Sequence, residues 1–474
     1  MEVFVRIEHL NLKVRNRVIL ADLSWQIATG EQWLLNGPSG SGKTLLAKAL
    51  ATHSSKAGKS TLYVPQWFQF ADKQGSSDFY FQQRFNSADA ENTLSVWETI
   101  LAYVSRNNKS IESAASLLET FQLSNRKHAP VIQLSSGEHK KLQLLKALVY
   151  RPQFLILDNP YTGLDVQTRT SLNEQLDLAC ASGMQLLIVS NDAVVPACIN
   201  RFASIVDGQL VRSESPIAVQ QISPSIHGLP LFLSAAPVMP AEELVSLKKV
   251  NIRYGDKSIL KDLSWKIKSG EKWLIKGPNG SGKSTLISLL TGDNPQAYAQ
   301  EMSLFGRRRG SGESIWDIKR HIGFISPELQ WYFDPGATVF QAVASGLFDT
   351  TGLFRKLSQQ QTNNVNELLN LFKLKAESDD LLVQLPLGKQ RLALLARAIV
   401  KNPPLLILDE PCQGLDEAQT SMFNHLVGLL CTSTRSLIYV SHFEHTLPGF
   451  LTHELLLREG SAISNHPILE KEYT

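Results

Sequence analysis

Residues 11–37 read NLKVRNRVILADLSWQIATGEQWLLNG, and residues 251–277 read NIRYGDKSILKDLSWKIKSGEKWLIKG, an ungapped match at an offset of 240. Further along, FLILDNPYTGLD (154–165) returns as LLILDEPCQGLD (405–416) at an offset of 251, so the second copy gains a net 11 residues in between. A period this long marks a duplicated domain rather than a solenoid, and 474 residues exceed what one compact core holds. The seam falls where SESPIAVQQISPSIHGLPLFLSAAPVMPAEE (213–243) mixes proline, serine and small residues. The expected organisation is a first domain over 1–215, a linker over 216–243 and a second domain over 244–474.

Composition narrows the class of function. The net charge is only +3, from 47 Lys and Arg against 44 Asp and Glu, which argues against nucleic acid as the main partner, and the proline-rich linker with few charges argues against the ribosome. No apolar run reaches the length of a membrane span, because the longest candidate, 228–241, is interrupted by Pro230, Pro237 and Pro240. The first residues, MEVFVRIEHL, show neither the basic start nor the apolar core expected of a secretory leader, and the four cysteines (Cys180, Cys198, Cys412, Cys431) form neither a metal-ligand spacing nor a disulfide framework. The expected location is the cytoplasm, with any membrane role exercised from the inner face through a partner.

Each copy alternates short apolar runs with amphipathic helical stretches, the pattern of an α/β domain built on a mainly parallel sheet. Trp33 to Asn36 and Trp273 to Lys276 read as strands that end at glycine-rich turns. Phe154 to Leu157, Leu405 to Leu408, Leu186 to Val189 and Leu437 to Val440 read as further buried strands. Residues 91–128 and 338–384 read as mostly helical, a subdomain in each copy. The turns are Gly37-Pro38-Ser39-Gly40-Ser41-Gly42-Lys43-Thr44 and Gly277-Pro278-Asn279-Gly280-Ser281-Gly282-Lys283-Ser284. Both stand between a strand and a helix, the context in which such a loop wraps a nucleotide β-phosphate with backbone N–H groups. Lys43 and Lys283 then neutralise β/γ oxygens, while Thr44 and Ser284 face Mg²⁺. Asp158 and Asp409 each end an apolar strand, which sets a carboxylate beside that metal.

These features resemble the ATP-binding cassette (ABC) ATPases. Leu134-Ser135-Ser136-Gly137-Glu138, 20 residues before Asp158, is similar to their LSGGQ signature. Gly163-Leu164-Asp165 and Gly414-Leu415-Asp416 resemble D-loops, Gln66 after Tyr63-Val64-Pro65 matches a Q-loop, and His442 after Ser441 matches a switch histidine. The duplicated layout is most similar to the ModF type, tied to molybdate transport or photorepair, as is Leu304 to Glu313 (LFGRRRGSGE) followed by Ile315 to Lys319 (IWDIK). The resemblance implies two tandem P-loop NTPase domains, ATP and Mg²⁺ as ligands, and permease subunits met from the cytoplasmic face. It also implies that the halves pair head to tail within one chain, each ATP lying between one phosphate loop and the other half's signature. Tethering sets the effective concentration of each half for the other at roughly millimolar.

On that footing the two sites are unequal. One combines Lys283, Ser284, Asp409, Glu410 and His442 with Ser135 and Gly137 of the first signature. Glu410 polarises the attacking water, His442 contacts the γ-phosphate, and Tyr254 stacks on adenine. Its Q-loop glutamine is replaced by Pro327, with Glu328 and Gln330 as candidate substitutes. The other combines Lys43, Thr44, Gln66 and Asp158 with a degenerate signature, Leu385-Pro386-Leu387-Gly388-Lys389. There Asn159 stands for the glutamate, Asn191 for the histidine and Val14 for the aromatic. The expected division is a hydrolysing site and a site that binds ATP without turning it over; scattered neutral drift is the alternative reading. Arg307, Arg308, Arg309, Lys319 and Arg320 form a basic cluster that reads equally as a solvated loop or as an anion contact. Paired Trp25 and Trp33, repeated as Trp265 and Trp273, read as core. A soluble role on ribosomes or in DNA repair is the alternative to energising a permease.

Overall fold

In the computed structural model the described residues are 2–468 apart from 15–16, 39, 67–93, 132–133, 135, 193, 207, 216–227, 235–240, 256, 279, 328, 330–332, 416, 432–433 and 442–446. The chain divides into two compact units, Met1–Gln220 and Gln221–Thr474.

In the first unit β1 (Val3–Val14) and β2 (Arg17–Ala28) form an antiparallel arm. Then come β3 (Trp33–Asn36), α1 (Lys43–Lys56), β4 (Thr61–Val64), α2 (Val96–Arg106), α3 (Ile111–Thr120), α4 (Ser136–Tyr150), β5 (Phe154–Asp158), α5 (Val166–Ala181), β6 (Gln185–Val189), β7 (Arg201–Val206) and β8 (Gln209–Ser213). The central sheet runs β4-β5-β6-β3-β7-β8, parallel throughout except for the last pair. Alternate side chains of its strands enter two cores. Phe154, Ile156, Leu187 and Val189 join the arm and α1, while Leu155, Leu157, Leu186 and Ile188 join α2 to α5. Burial on both faces is why these strands read as unbroken apolar runs. Helix α2 starts at a capping box, Ser95 with Glu98, and buries Val96, Ile100 and Val104 at a spacing of one turn.

The second unit repeats the plan. Its elements are α6 (Leu231–Ser234), β9 (Glu243–Tyr254), β10 (Lys257–Lys268), β11 (Lys272–Lys276), α7 (Lys283–Leu290), β12 (Glu301–Leu304), β13 (Arg307–Arg308), α8 (Ile315–Lys319), β14 (Ile322–Ile325), α9 (Val339–Ser345), α10 (Gln359–Leu371), α11 (Leu387–Ile399), β15 (Leu405–Asp409), α12 (Glu417–Leu430), β16 (Ser436–Val440), β17 (His453–Arg458) and β18 (Ser461–Pro467). The main sheet runs β14-β15-β16-β11-β17-β18, the same order as in the first unit. Residues 291–321, carrying β12, β13 and α8, occupy the place that residues 57–60 fill in the first unit, and they widen the arm to four strands. The expected linker is partly built into this unit. Leu233 is buried in its core with Leu229 and Phe232 against it, and Asn402 Nδ2 donates to the Phe232 carbonyl at 2.9 Å.

The paired tryptophans are core residues. Trp25 meets Trp33 edge-on at 5.2 Å, and Trp265 meets Trp273 at 5.4 Å. The basic cluster is mostly committed inside its own unit: Arg309 is buried in an ion pair with Glu313 (2.6 Å), Lys319 bridges to Asp293 (2.7 Å) and Arg320 to Asp317 (3.2 Å).

Candidate phosphate and metal sites

Each phosphate loop leaves the central strand of its sheet and feeds a helix, β3 into α1 and β11 into α7. Gly37 (φ 134°) and Gly277 (φ 149°) pass so close to the neighbouring strand that a Cβ would lie 2.7 Å from the Ile205 carbonyl oxygen or 2.3 Å from that of Leu457. Gly40 and Gly280 are also left-handed, and Gly42 and Gly282 cap their helices at φ 103° without a side-chain cap. Each helix therefore presents its first amides and dipole to the loop. Lys43 Nζ donates to the carbonyls of Gly37 (2.6 Å) and Pro38 (2.7 Å); Lys283 Nζ does the same with Gly277 (2.6 Å) and Pro278 (3.0 Å). Burial pushes Lys283 down to about 8, opposed by the nearby carboxylates of Glu410 and Asp409. The hydroxyls of Ser41 and Ser281 are buried with no hydrogen-bond partner among the described residues. Unpaired buried donors beside a lysine and a helix start suit an anion with many acceptor oxygens.

The metal side is most explicit in the first unit. Thr44 Oγ1 donates to Asp158 Oδ2 at 2.8 Å, and Tyr63 OH donates to the same oxygen at 2.8 Å. Asn159 Nδ2 reaches Asp158 Oδ1 at 3.3 Å and Gln66 Oε1 at 3.4 Å, and Gln66 Nε2 reaches Thr162 Oγ1 at 3.4 Å. A hydroxyl and a carboxylate in contact are the oxygen donor types that Mg²⁺ takes, so the residues fit the ion in kind, with the Asp158 oxygen also engaged by Tyr63. In the second unit Ser284 is exposed at the start of α7, and Asp409 ends β15 half-buried.

Asn159 and Glu410 follow these aspartates with the same backbone, φ 44° in each. Their N–H groups donate to equivalent carbonyls, Val189 at 2.8 Å and Val440 at 3.1 Å. Asparagine tolerates this left-handed region; holding a glutamate there costs on the order of 1 kcal/mol. Gln413 Nε2 donates to Glu410 Oε2 at 2.9 Å. A carboxylate at this place can accept a proton from water, and an amide cannot. Asn191 is fully engaged with the loop base: Gly37 N donates to its Oδ1 and its Nδ2 donates to Gly37 O, both at 3.1 Å.

Gly137 is buried at the start of α4, where Arg126 Nε donates to Glu138 Oε1 at 2.8 Å. In the second unit the same pair is present with its charges exchanged, Glu377 with Lys389. There Pro386 is the N-cap of α11 and supplies no capping side chain, while a Cβ on Gly388 would fall 2.5 Å from Gln419 Nε2. Tyr254 is half-exposed, and its hydroxyl accepts from Asn294 Nδ2 at 2.9 Å. Pro327 is buried just after β14, preceded by Ser326. Ser39, Ser135, Asn279, Glu328, Gln330, Asp416, His442 and the Val14 side chain lie outside the described residues.

Sequence reasoning missed Tyr63, the grip of Asn191 on Gly37, and Lys140. Lys140 of α4 is buried, with Nζ donating to the carbonyls of Pro65 and Gln66, both at 3.0 Å, so it ties the signature helix to the Q-loop. Burial pushes its ammonium down to about 7, partly countered by Asp158. An unfolded lysine titrates near 10.4, so between about 7 and 10.4 the unfolded chain binds more protons and stability rises with pH. The slope is at most about 1.4 kcal/mol per pH unit. Lys140→Met should flatten the rise in urea midpoint of the first unit's unfolding transition between pH 7 and 9; an unchanged slope would refute the assignment.

The ABC transporter family model matches residues 20–162 and 260–413. The chain is 34% identical over 447 residues to the ABC transporter ATP-binding protein ModF of Escherichia coli K12, covering 90% of this chain and 91% of the relative. It is 28% identical over 471 residues to an uncharacterized ABC transporter ATP-binding protein of Schizosaccharomyces pombe, covering 94% and 96%. A third relative, an uncharacterized ABC transporter ATP-binding protein of Saccharomyces cerevisiae, is 27% identical over 360 residues, covering 66% and 67%.

Proposed function

Because this chain belongs to the ABC transporter ATP-binding family, we propose that it is an ATPase with one hydrolysing and one ATP-retaining site, which energises a separate permease. The observation that carries the division is the matched backbone at Asn159 and Glu410, where only the second side chain can take a proton. In this reading Lys283, Gly277, Pro278, Gly280, Ser281 and Gly282 hold the phosphates of the second site, and Glu410 draws the proton from the attacking water. Ser284 and Asp409 would hold Mg²⁺, whose charge would offset the negative charge that builds on the phosphate oxygens. His442 contacts the γ-phosphate, Tyr254 stacks on adenine, and Ser135 and Gly137 supply the signature from the paired first half.

The first site has the phosphate loop Gly37 to Lys43, with Thr44 and Asp158 toward the metal and Gln66 beside them. Its Asn159 can hold a water without activating it, and Asn191 spends both amide atoms on Gly37. Closure on two ATP molecules and reopening after one hydrolysis is the stroke delivered to the permease. No helix among the described residues is long and apolar enough to cross a membrane; the permease proposed here is a separate chain met at the cytoplasmic face. The resemblance to the ModF type is the ground for proposing molybdate or another anion as the solute.

The role is tested by fractionation. The chain should sediment with membranes when its permease is present and leave them when the permease gene is deleted. Nucleotide-dependent cosedimentation with ribosomes, and none with membranes, would overturn the transport role and favour a soluble one.

A further inference from the structure

Strand register gives the two metal sides a difference that the aligned motifs conceal. Tyr63 of β4 lies opposite Ile156 of β5, and Phe324 of β14 lies opposite Ile407 of β15. The two aromatic residues therefore stand at the same place, beside the strand that ends in Asp158 or Asp409. Only the first carries a hydroxyl.

That hydroxyl matters because of the oxygen it reaches. Asp158 Oδ2 accepts from both Tyr63 OH and Thr44 Oγ1, each at 2.8 Å. A carboxylate oxygen has two lone-pair sites, and here both are taken. Oδ1 already accepts the longer bond from Asn159 Nδ2 at 3.3 Å. A phenol titrates at about 10, so at neutral pH the Tyr63 hydroxyl is a donor to this carboxylate. A cation, or a water bound to one, that needs Oδ2 has to displace a charge-assisted hydrogen bond. Thr44 does not block in the same way, since its own oxygen lone pairs stay available to the cation.

We propose that Tyr63 is a positioning residue that withholds Asp158 from Mg²⁺, so that the first phosphate loop binds nucleotide with little dependence on the ion. This rests on the reading of the first loop as a nucleotide site. A site that is to keep its nucleotide rather than hydrolyse it has less use for the metal, whose main work is on the transition state.

The test is equilibrium binding of a fluorescent ATP analogue to the full chain, in Mg²⁺ and in EDTA. In Lys283→Ala, which weakens the second loop, the ratio of the two affinities should be near one. Adding Tyr63→Phe, which keeps the ring and its packing, should raise that ratio roughly tenfold, the worth of one charge-assisted hydrogen bond that the cation no longer has to displace. The mirror exchange, Phe324→Tyr in a Lys43→Ala chain, should lower the ratio for the second loop by a similar factor. An unchanged ratio in both exchanges overturns the inference. So does weaker Mg²⁺-dependent binding in Tyr63→Phe, which would mean that the phenol orients Asp158 for the metal. Binding by the Lys283→Ala chain in neither buffer would overturn the nucleotide reading of the first loop as well. Circular dichroism melting of each variant confirms that a changed ratio belongs to a folded chain.

Discussion

Glu410→Gln should lower steady-state ATP hydrolysis by roughly two to four orders of magnitude, the usual worth of a positioned base, while two ATP molecules stay on each chain. The substitution preserves the shape of the side chain and still offers an oxygen to Gln413 Nε2, which now bonds Glu410 Oε2 at 2.9 Å. Phosphate and metal contacts survive, and only the proton acceptor is removed. Filter binding of radiolabelled ATP with phosphate release measured in parallel checks both halves of the expectation. The converse change, Asn159→Glu, should leave turnover near wild type. It sets a second carboxylate beside Asp158 and gives up the amide's bonds to Asp158 and Gln66. Asn191 stays committed to Gly37. Losses within a cooperating group are strongly non-additive, so one repair recovers little. A doubled rate would show that residue 159 alone disables the first site.

Removal of the phosphate lysines should separate the two sites just as sharply. Lys283→Ala should reduce hydrolysis by on the order of a hundredfold or more, while Lys43→Ala should keep a substantial fraction. The comparison is well controlled because both ammonium groups hold the same two carbonyls of their own loops, at 2.6 and 2.7 Å in one and 2.6 and 3.0 Å in the other. Structural damage from losing those bonds is therefore matched, and a difference in rate reports chemistry. Equal losses would sink the claim of unequal sites.

The parallel strands and phosphate loops were legible because their physics leaves a local trace. Strands buried on both faces must be apolar throughout, and the loop's left-handed turns and close approaches to β7 and β17 demand glycine. The arm β1–β2 left no such trace, since its bulges at several points break the alternation that marks a half-buried strand. Tyr63 was hidden for another reason. Residues 291–321 precede β14, so the duplicated motifs lose their alignment just before Tyr63 and Phe324, and only strand pairing restores it. Asn191 read as a lost histidine, whereas the molecule uses it to clasp Gly37. Lys140 drew no reading from the sequence, and Arg309 read equally as part of a solvated loop or an anion contact. Both are buried, one on the Q-loop carbonyls and the other on Glu313, because long side chains conceal where their charged ends come to rest.

Two halves as alike as these risk being mistaken for one another while the chain folds. The exchanged charges at the signature helices work against that error. Arg126 meets Glu138 in one half, and Glu377 meets Lys389 in the other. Were the turn of one half to dock on the signature helix of its twin, Arg126 would face Lys389, or Glu377 would face Glu138. Two attractions would become two repulsions, each modest at such half-open positions but both acting against the hybrid. Opposite polarity thus sets a small penalty on the hybrid: the domain is duplicated, yet each signature helix carries the charge that suits its own turn.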